Sequence, residues 1–185
     1  MMKAKVVMDE KGIERALARI AHEILERNKG VEDLVILGIP TRGYELALRL
    51  KKAIEEIERV NVPAGAVDAT LYRDDIGIKR DQPPLKKMDI PVSIDNKKIV
   101  MVDDVLYTGR TIRAAMNALM DFGRPLSIQL AVLIDRGHRE LPIKADYIGK
   151  NIPTSLKEDV KVHLKEIDGS SEVLVEPIEE RRRNT

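Results

Sequence analysis

Cysteine and tryptophan are both missing from these 185 residues, phenylalanine occurs once, and aromatic side chains make up 3% of the chain. Without thiols there is no disulfide framework, no thiolate nucleophile and no zinc site of the usual cysteine-bearing kind, and the expected setting is a reducing cytoplasm. No stretch approaches the roughly 20 apolar residues of a membrane span. The opening MMKAKVVMDEKGIERAL has no apolar signal core. An excess of one charge is missing too: 32 lysines and arginines face 31 acids, a formal net charge of +1, so a polyanion partner would need a local patch. The phosphate loops GxGxxG and GxxxxGKS/T are both absent, and any phosphate site must be built another way.

What is present is alternation. Ile13, Leu17, Ile20, Ile24 and Leu25 recur at three- and four-residue steps, which predicts a helix over 9–28 with Asp9 as N-cap. LVILGIP reads as a buried strand. A second helix is expected over 44–59, through Leu46, Leu50, Ile54 and Ile57, followed by a strand at VDATLY. KIVMV is another strand, 112–119 a third helix and IQLAVLI a fourth strand. Strands this apolar, alternating with helices, predict an α/β fold with a mostly parallel sheet flanked by helices.

Residues 73–96 are rich in charge, proline and glycine and too long for a simple connection, so they are expected to form a flexible lid loop. Past Arg136 the helical pattern stops. DYIGKNIP, VKVHLKEI and EVLVEPI suggest short strands forming a small C-terminal β-rich hood, with a turn at DGSS between the last two. The expectation is a single domain over 1–180 and a frayed tail at 181–185.

The stretch MVDDVLYTGRT, 101–111, carries the most chemistry. Asp103 and Asp104 fall where KIVMV should end, and ligands of open α/β sheets bind beyond the carboxyl ends of the strands. The following turn supplies the Thr108 and Thr111 hydroxyls, the backbone amides of a helix start, and Gly109, which lets the backbone approach a ligand. A sugar phosphate suits this set, its vicinal hydroxyls on the carboxylates and its phosphate on the amides. An acid pair capping an ordinary strand-to-helix turn fits the same residues.

IVMVDDVLYTGRT at 99–111 resembles the signature of the type I phosphoribosyltransferases, which bind phosphoribosyl pyrophosphate. GIPTRG at 38–43, LYRDD at 71–75 and QLAVLIDRGHRELPIKADYIGKNIPTS at 129–155 are similar to the bacterial PyrR family of pyrimidine operon attenuation proteins, which are also uracil phosphoribosyltransferases. The resemblance implies transfer of phosphoribose to uracil, giving UMP and pyrophosphate. It places Asp103 and Asp104 on the ribose hydroxyls, and Val105, Leu106, Tyr107, Thr108, Gly109, Arg110 and Thr111 around the 5′-phosphate. Thr41 and Arg42 would form the pyrophosphate loop, where Gly38 and Gly43 are expected to permit an unusual backbone. Arg73, Lys79 and Arg80 would meet pyrophosphate from the lid, Arg73 and Arg80 in catalytic roles beside Arg42; solvated lid charges fit the same three residues equally. Arg136 and Val160 would roof the base, and Tyr147 would pack in the core. Tyr107 stands where purine-specific relatives often carry an acid, which favours a pyrimidine. Mg2+ would be held mainly by phosphoribosyl pyrophosphate and water, so no dedicated metal ligands are expected.

Arg15, Arg19 and His22 follow the face opposite the first helix's apolar stripe, with Arg27 nearer its edge. A second basic group comprises His138, Arg139, Lys144 and Lys150. With Glu14, Glu23 and Glu26 nearby, these residues alone describe a solvated face. The resemblance implies instead an RNA surface for the leader mRNA of pyrimidine genes, bound more tightly with uridine nucleotide, and a homo-oligomer. A salvage phosphoribosyltransferase without an RNA role, or a non-catalytic uridine nucleotide sensor, would carry the same core motif.

Overall fold

The structure, a computed structural model, describes residues 4–72 and 88–178. The chain order is β1 (Lys5–Met8), α1 (Glu10–Asn28), β2 (Leu34–Gly38), α2 (Arg42–Glu58), β3 (Ala64–Ala66), a 3-10 turn (Thr70–Tyr72) and β4 (Lys98–Leu106), then α3 (Arg110–Met120), β5 (Ser127–Asp135), β6 (Tyr147–Asn151), β7 (Glu158–His163), α4 (Lys165–Asp168) and β8 (Glu172–Pro177). Five strands pair in parallel in the order β3-β2-β4-β5-β6. A separate antiparallel sheet runs β1-β8-β7.

α1 starts where the Asp9 carboxylate accepts the Gly12 amide at 2.7 Å and ends at Lys29 in the left-handed conformation. Its stripe of Ile13, Leu17, Ile20, Ile24 and Leu25 is buried, and each such side chain contributes about 1.5–3 kcal/mol relative to exposure. Alternate residues of the central strands serve opposite faces of the sheet. Leu34, Ile36, Val100 and Val102 join α1 and α2, whereas Val35, Leu37, Ile99 and Met101 join Ile112, Ala115 and Leu119 of α3.

That division positions the site. α2 carries the chain from β2 outward to β3, and α3, on the opposite face, carries it from β4 outward to β5. The segments leaving β2 and β4 therefore part in opposite directions. Such a reversal opens a crevice at the strands' carboxyl ends. The β2–β4 ladder stops at Gly38 and Val102, whereas the β4–β5 ladder runs on to Leu106 and Asp135.

Several elements differ from expectation. VDATLY is not a strand: the Asp68 carboxylate accepts both the Thr70 amide, at 3.0 Å, and its hydroxyl, at 2.6 Å, giving the backbone a local alternative to the ladder. The third strand on that side is the shorter Ala64–Ala66. The hood is neither purely C-terminal nor built from all three stretches: β1 pairs with β8 and closes it from the other end of the chain, and the DYIGKNIP strand, β6, joins the parallel sheet beside β5. β7 stops at His163, and α4, ended by Gly169 at φ 80°, occupies the place of the plain turn. Residues 88–96, expected within the lid, are fastened to the body: Ala66 and Asp89 form a bridge, with the Ala66 amide donating to the Asp89 carbonyl at 2.8 Å, and Ile94 is buried. Residues 73–87 lie outside the described residues, as does the 181–185 tail. Tyr147 is a core residue as expected, its hydroxyl donating to Gln129 at 2.6 Å.

Candidate active site

β4 does not end at Val102 but continues through Leu106, so Asp103 and Asp104 lie within the strand, along the stretch that β2 has left open. Each carboxylate is steadied by the next amide: Asp103 Oδ1 accepts Asp104 N at 2.9 Å, and Asp104 Oδ1 accepts Val105 N at 2.8 Å. Because successive strand residues point to opposite sides, the doublet divides. Asp103, 8% exposed, lines one cavity and Asp104 the next, with Val105 and Tyr107 common to both.

The first cavity, about 280 Å³, is enclosed by Asp103, the segment from Val105 to Ile112, and Glu140. It sits at the N-terminus of α3, whose first amides have no intrahelical carbonyl to bind and whose dipole favours an anion. Gly109 caps that helix at φ 92°, a left-handed conformation natural to glycine, and a β-carbon there would meet Ile143 rather than the cavity. The turn is fixed from outside, as the Thr108 carbonyl accepts the amides of Glu140 at 3.0 Å and Leu141 at 3.2 Å. Arg110 points its Nε at Glu140, 2.6 Å away.

The second cavity, about 440 Å³, is lined by Arg42, Asp104, Val105, Tyr107, Arg136 and the β7 residues from Asp159 to His163. Arg136 is only 4% exposed and fully engaged: Nη1 meets Asp159 at 2.8 Å, Nη2 the Glu158 carbonyl at 2.6 Å and Nε the Thr154 hydroxyl at 3.2 Å. Its guanidinium also lies 4.1 Å from the centre of the Tyr107 ring, against which His138 packs edge-on. Burial alone would raise the Asp159 carboxyl, but Lys161, the Val160 amide and Arg136 outweigh it and hold Asp159 below the usual carboxylate range. Arg136 thus bolts β7 to the end of β5 and presents Val160 to the cavity.

GIPTRG crosses the crevice from β2 to α2, with a cis Pro40–Thr41 peptide. The unusual backbone expected here is that cis peptide; the glycines themselves have no positive φ and serve closeness of approach. A β-carbon on Gly38 would fall 2.4 Å from the Gly43 carbonyl oxygen, and one on Gly43 2.5 Å from that of Val102. Gly43→Ala is therefore expected to push the loop off β4 and cost about 1–3 kcal/mol, read as a lower denaturation midpoint together with weakened ligand binding. Arg42 opens α2 and pairs with Asp168 of α4 at 2.7 Å.

The structure brings Thr41, Arg42, Asp103, Asp104, the 105–111 turn, Arg136 and Val160 to one end of the sheet. Arg73, Lys79 and Arg80 lie outside the described residues. The basic residues regroup. Arg15, Arg19 and Lys150 share a groove of about 630 Å³ between β1, α1 and β6, with His22 exposed further along α1. Arg19 Nη2 donates to the edge carbonyls of Ile148 and Gly149, at 2.9 and 2.7 Å, Lys150 to the Val7 carbonyl at 2.8 Å, and Arg27 pairs with Asp146 at 2.5 Å. Lys144 is exposed, as is His138, whose ring meets the Thr154 carbonyl, whereas Arg139 is half-buried and donates to the Tyr107 carbonyl. Glu140, Asp159, Lys161 and His163 also line the two cavities. Nothing in their local sequence marks them: the return of β7 across the strand ends brings Asp159, Lys161 and His163 there, and the bond from the Glu140 amide to the Thr108 carbonyl brings Glu140.

Residues 4–176 match the phosphoribosyl transferase domain family. The chain belongs to that family. Within it, the chain is 57% identical over 175 residues to the bifunctional protein PyrR of Halalkalibacterium halodurans, covering 94% of this chain and 97% of the relative. It is 60% identical over 175 residues to that of Thermoanaerobacter sp. strain X514, covering 94% and 98%. The family fold extends to a crystal structure of the hypoxanthine phosphoribosyltransferase of Trypanosoma cruzi, superposable with a TM-score of 0.69 at 20% identity over 94% of this chain and 96% of that one. The cavity at the start of α3 and the one beneath β7 adjoin, sharing Val105 and Tyr107.

Proposed function

We propose that the chain transfers phosphoribose from phosphoribosyl pyrophosphate to N1 of uracil, and that the UMP formed promotes binding of a pyrimidine-gene leader RNA. One observation carries the transfer reading: Asp103 and Asp104 flank adjoining cavities, one ending on helix amides and the other roofed by Val160 and Arg136. The 5′-phosphate fits the first and the base the second, with the ribose hydroxyls between them on the carboxylates. The N1–C1 bond forms as the C1–oxygen bond to pyrophosphate breaks, and the N1 proton passes to water. Positive charge develops on the sugar beside two carboxylates and negative charge on pyrophosphate near Thr41 and Arg42, so catalysis is mainly positioning and electrostatics.

Among the described residues no group of three or more histidine or acidic side chains forms a metal cage. This donor set fits a Mg2+ that arrives on pyrophosphate oxygens and water, with Asp103 and Asp104 the carboxylates placed to meet it. When bound, the ion neutralises pyrophosphate charge. Release of pyrophosphate from uracil and phosphoribosyl pyrophosphate tests the reading directly, and no release at millimolar substrate would remove it.

The RNA reading is supported by the names of the relatives and by the groove of Arg15, Arg19 and Lys150. It includes a homo-oligomer, whose subunits would join such grooves into a longer basic surface. No helix among the described residues is long and apolar enough to cross a membrane. Arg19 and Arg27 hold the β6 edge and Asp146, so replacing them would disturb structure as well as charge. Arg15 is exposed and makes no ion pair or hydrogen bond among the described residues. Arg15→Ala is expected to weaken leader RNA binding and to reduce the salt slope by about one, with uracil transfer intact. Filter binding with and without UMP at several salt concentrations measures both, and unchanged affinity would exclude this face.

A further inference from the structure

α2 and α4 are joined by a pair of matching contacts. Arg42 and Arg49 stand seven residues apart on α2, two turns along one face. Glu166 and Asp168 stand two apart on the short α4. Each arginine presents Nε and Nη2 to one acid: Arg49 to Glu166 at 3.0 and 2.6 Å, Arg42 to Asp168 at 3.3 and 2.7 Å.

Their surroundings differ. Arg49 donates further to the Ser171 hydroxyl at 3.2 Å and borders the outer groove between α1 and α2. Arg42 lines the cavity of Asp104, Arg136 and Val160, and its Nη1 donates to no group among the described residues. Asp168 is anchored in turn, accepting the Leu164 amide at 2.9 Å. The Arg42 guanidinium and then that amide hold its carboxyl below the usual carboxylate range. Arg49 and Glu166, with buried Leu164 and Val173, already fasten the hood to α2. The second contact is not needed for that purpose.

The geometry points to Asp168 as a positioning residue that grips one edge of the Arg42 guanidinium and leaves Nη1 for an anionic oxygen of the pyrophosphate group. This rests on the transfer reading above. A free arginine side chain carries considerable rotamer entropy, much of which must be given up on binding. One already held by a carboxylate has lost it before the substrate arrives, while the carboxylate leaves its third nitrogen available.

The test compares Asp168→Asn, Arg42→Gln, their combination and Glu166→Gln in steady-state uracil transfer, with UMP affinity and melting temperature measured alongside. Asp168→Asn keeps an acceptor for Leu164 N but removes the charge. It is expected to raise KM for phosphoribosyl pyrophosphate about 5- to 20-fold with kcat and UMP affinity within about twofold. Arg42→Gln should do at least as much, and the double variant no more than Arg42→Gln alone. Glu166→Gln should lower the melting temperature without moving KM. If Arg42→Gln raises KM and Asp168→Asn does not, the positioning role is lost while the transfer reading stands. An equal KM rise in Glu166→Gln would assign the effect to the junction as a whole and overturn the inference. A wild-type chain that neither binds nor turns over phosphoribosyl pyrophosphate would remove the transfer reading, and Asp168's role with it.

Discussion

Asp104→Asn is expected to lower kcat/KM for uracil transfer by about 10- to 150-fold, since each charge-assisted hydrogen bond to a ribose hydroxyl is worth about 1.5–3 kcal/mol. The variant should fold normally. The amide side chain would still present an oxygen to Val105 N, the contact that now steadies Asp104 at 2.8 Å. Asp103→Asn should behave similarly in kind, but Asp103 is buried and faces the other cavity, so its loss should fall more heavily on UMP and phosphate-bearing ligands. The double variant should lose no more than the product of the two single effects, as expected if both carboxylates serve one sugar. Calorimetry with UMP, and pyrophosphate release with both substrates, give the two readouts. Unaltered binding and turnover in Asp104→Asn would mean that the acid doublet serves the turn alone and that the sugar lies elsewhere.

The second large effect is expected at Arg136. Arg136→Ala removes three hydrogen bonds and the cation facing Tyr107, takes the arginine from the Glu158 carbonyl, and leaves Asp159 only Lys161, at 2.8 Å, and the Val160 amide. Breaking a buried pair by deleting one member costs about 3–5 kcal/mol. Asp159 retains a third of its side-chain exposure, so about 2–3 kcal/mol is expected here. For a chain of this size that is a melting temperature lowered by about 4–12 °C. Uracil transfer should fall with it, since Val160 hangs from the same anchor. Arg136→Lys restores charge without the three-way fork and should recover only part of either property.

Acid should act on this anchor with a definite sign. The folded Asp159 carboxyl is held below its ordinary value, so its stabilisation is complete above the unfolded value and is lost as pH falls through the folded one.

Much of this was legible in the chain before folding. The apolar steps from Ile13 to Leu25, the unbroken strands at LVILG and KIVMV, and the alternation of strand with helix specify a covered parallel sheet because burial of those faces has no cheaper solution. MVDDVLYTGRT could be read as a sugar phosphate site because acids, hydroxyls and a helix start fall within eleven residues. The weaker readings fail where local chemistry competes with pattern. VDATLY has strand-like residues, but Asp68 offers Thr70 a closer partner than any ladder. AKVVM is too short to declare itself, and becomes strand β1 only because β8 supplies an edge.

By itself, the sequence determined the sheet, the helices that cover it and the segments at its carboxyl edge, since hydrophobic period and turn chemistry act between neighbours. Tertiary structure alone decided that Asp103 and Asp104 serve different cavities, that Arg136 is a bolt spanning β5 to β7, and that Arg42 meets an acid 126 residues away. Those relations depend on where β2 and β4 part and where the hood returns. No periodicity along the chain encodes a contact made only after both ends have folded over it.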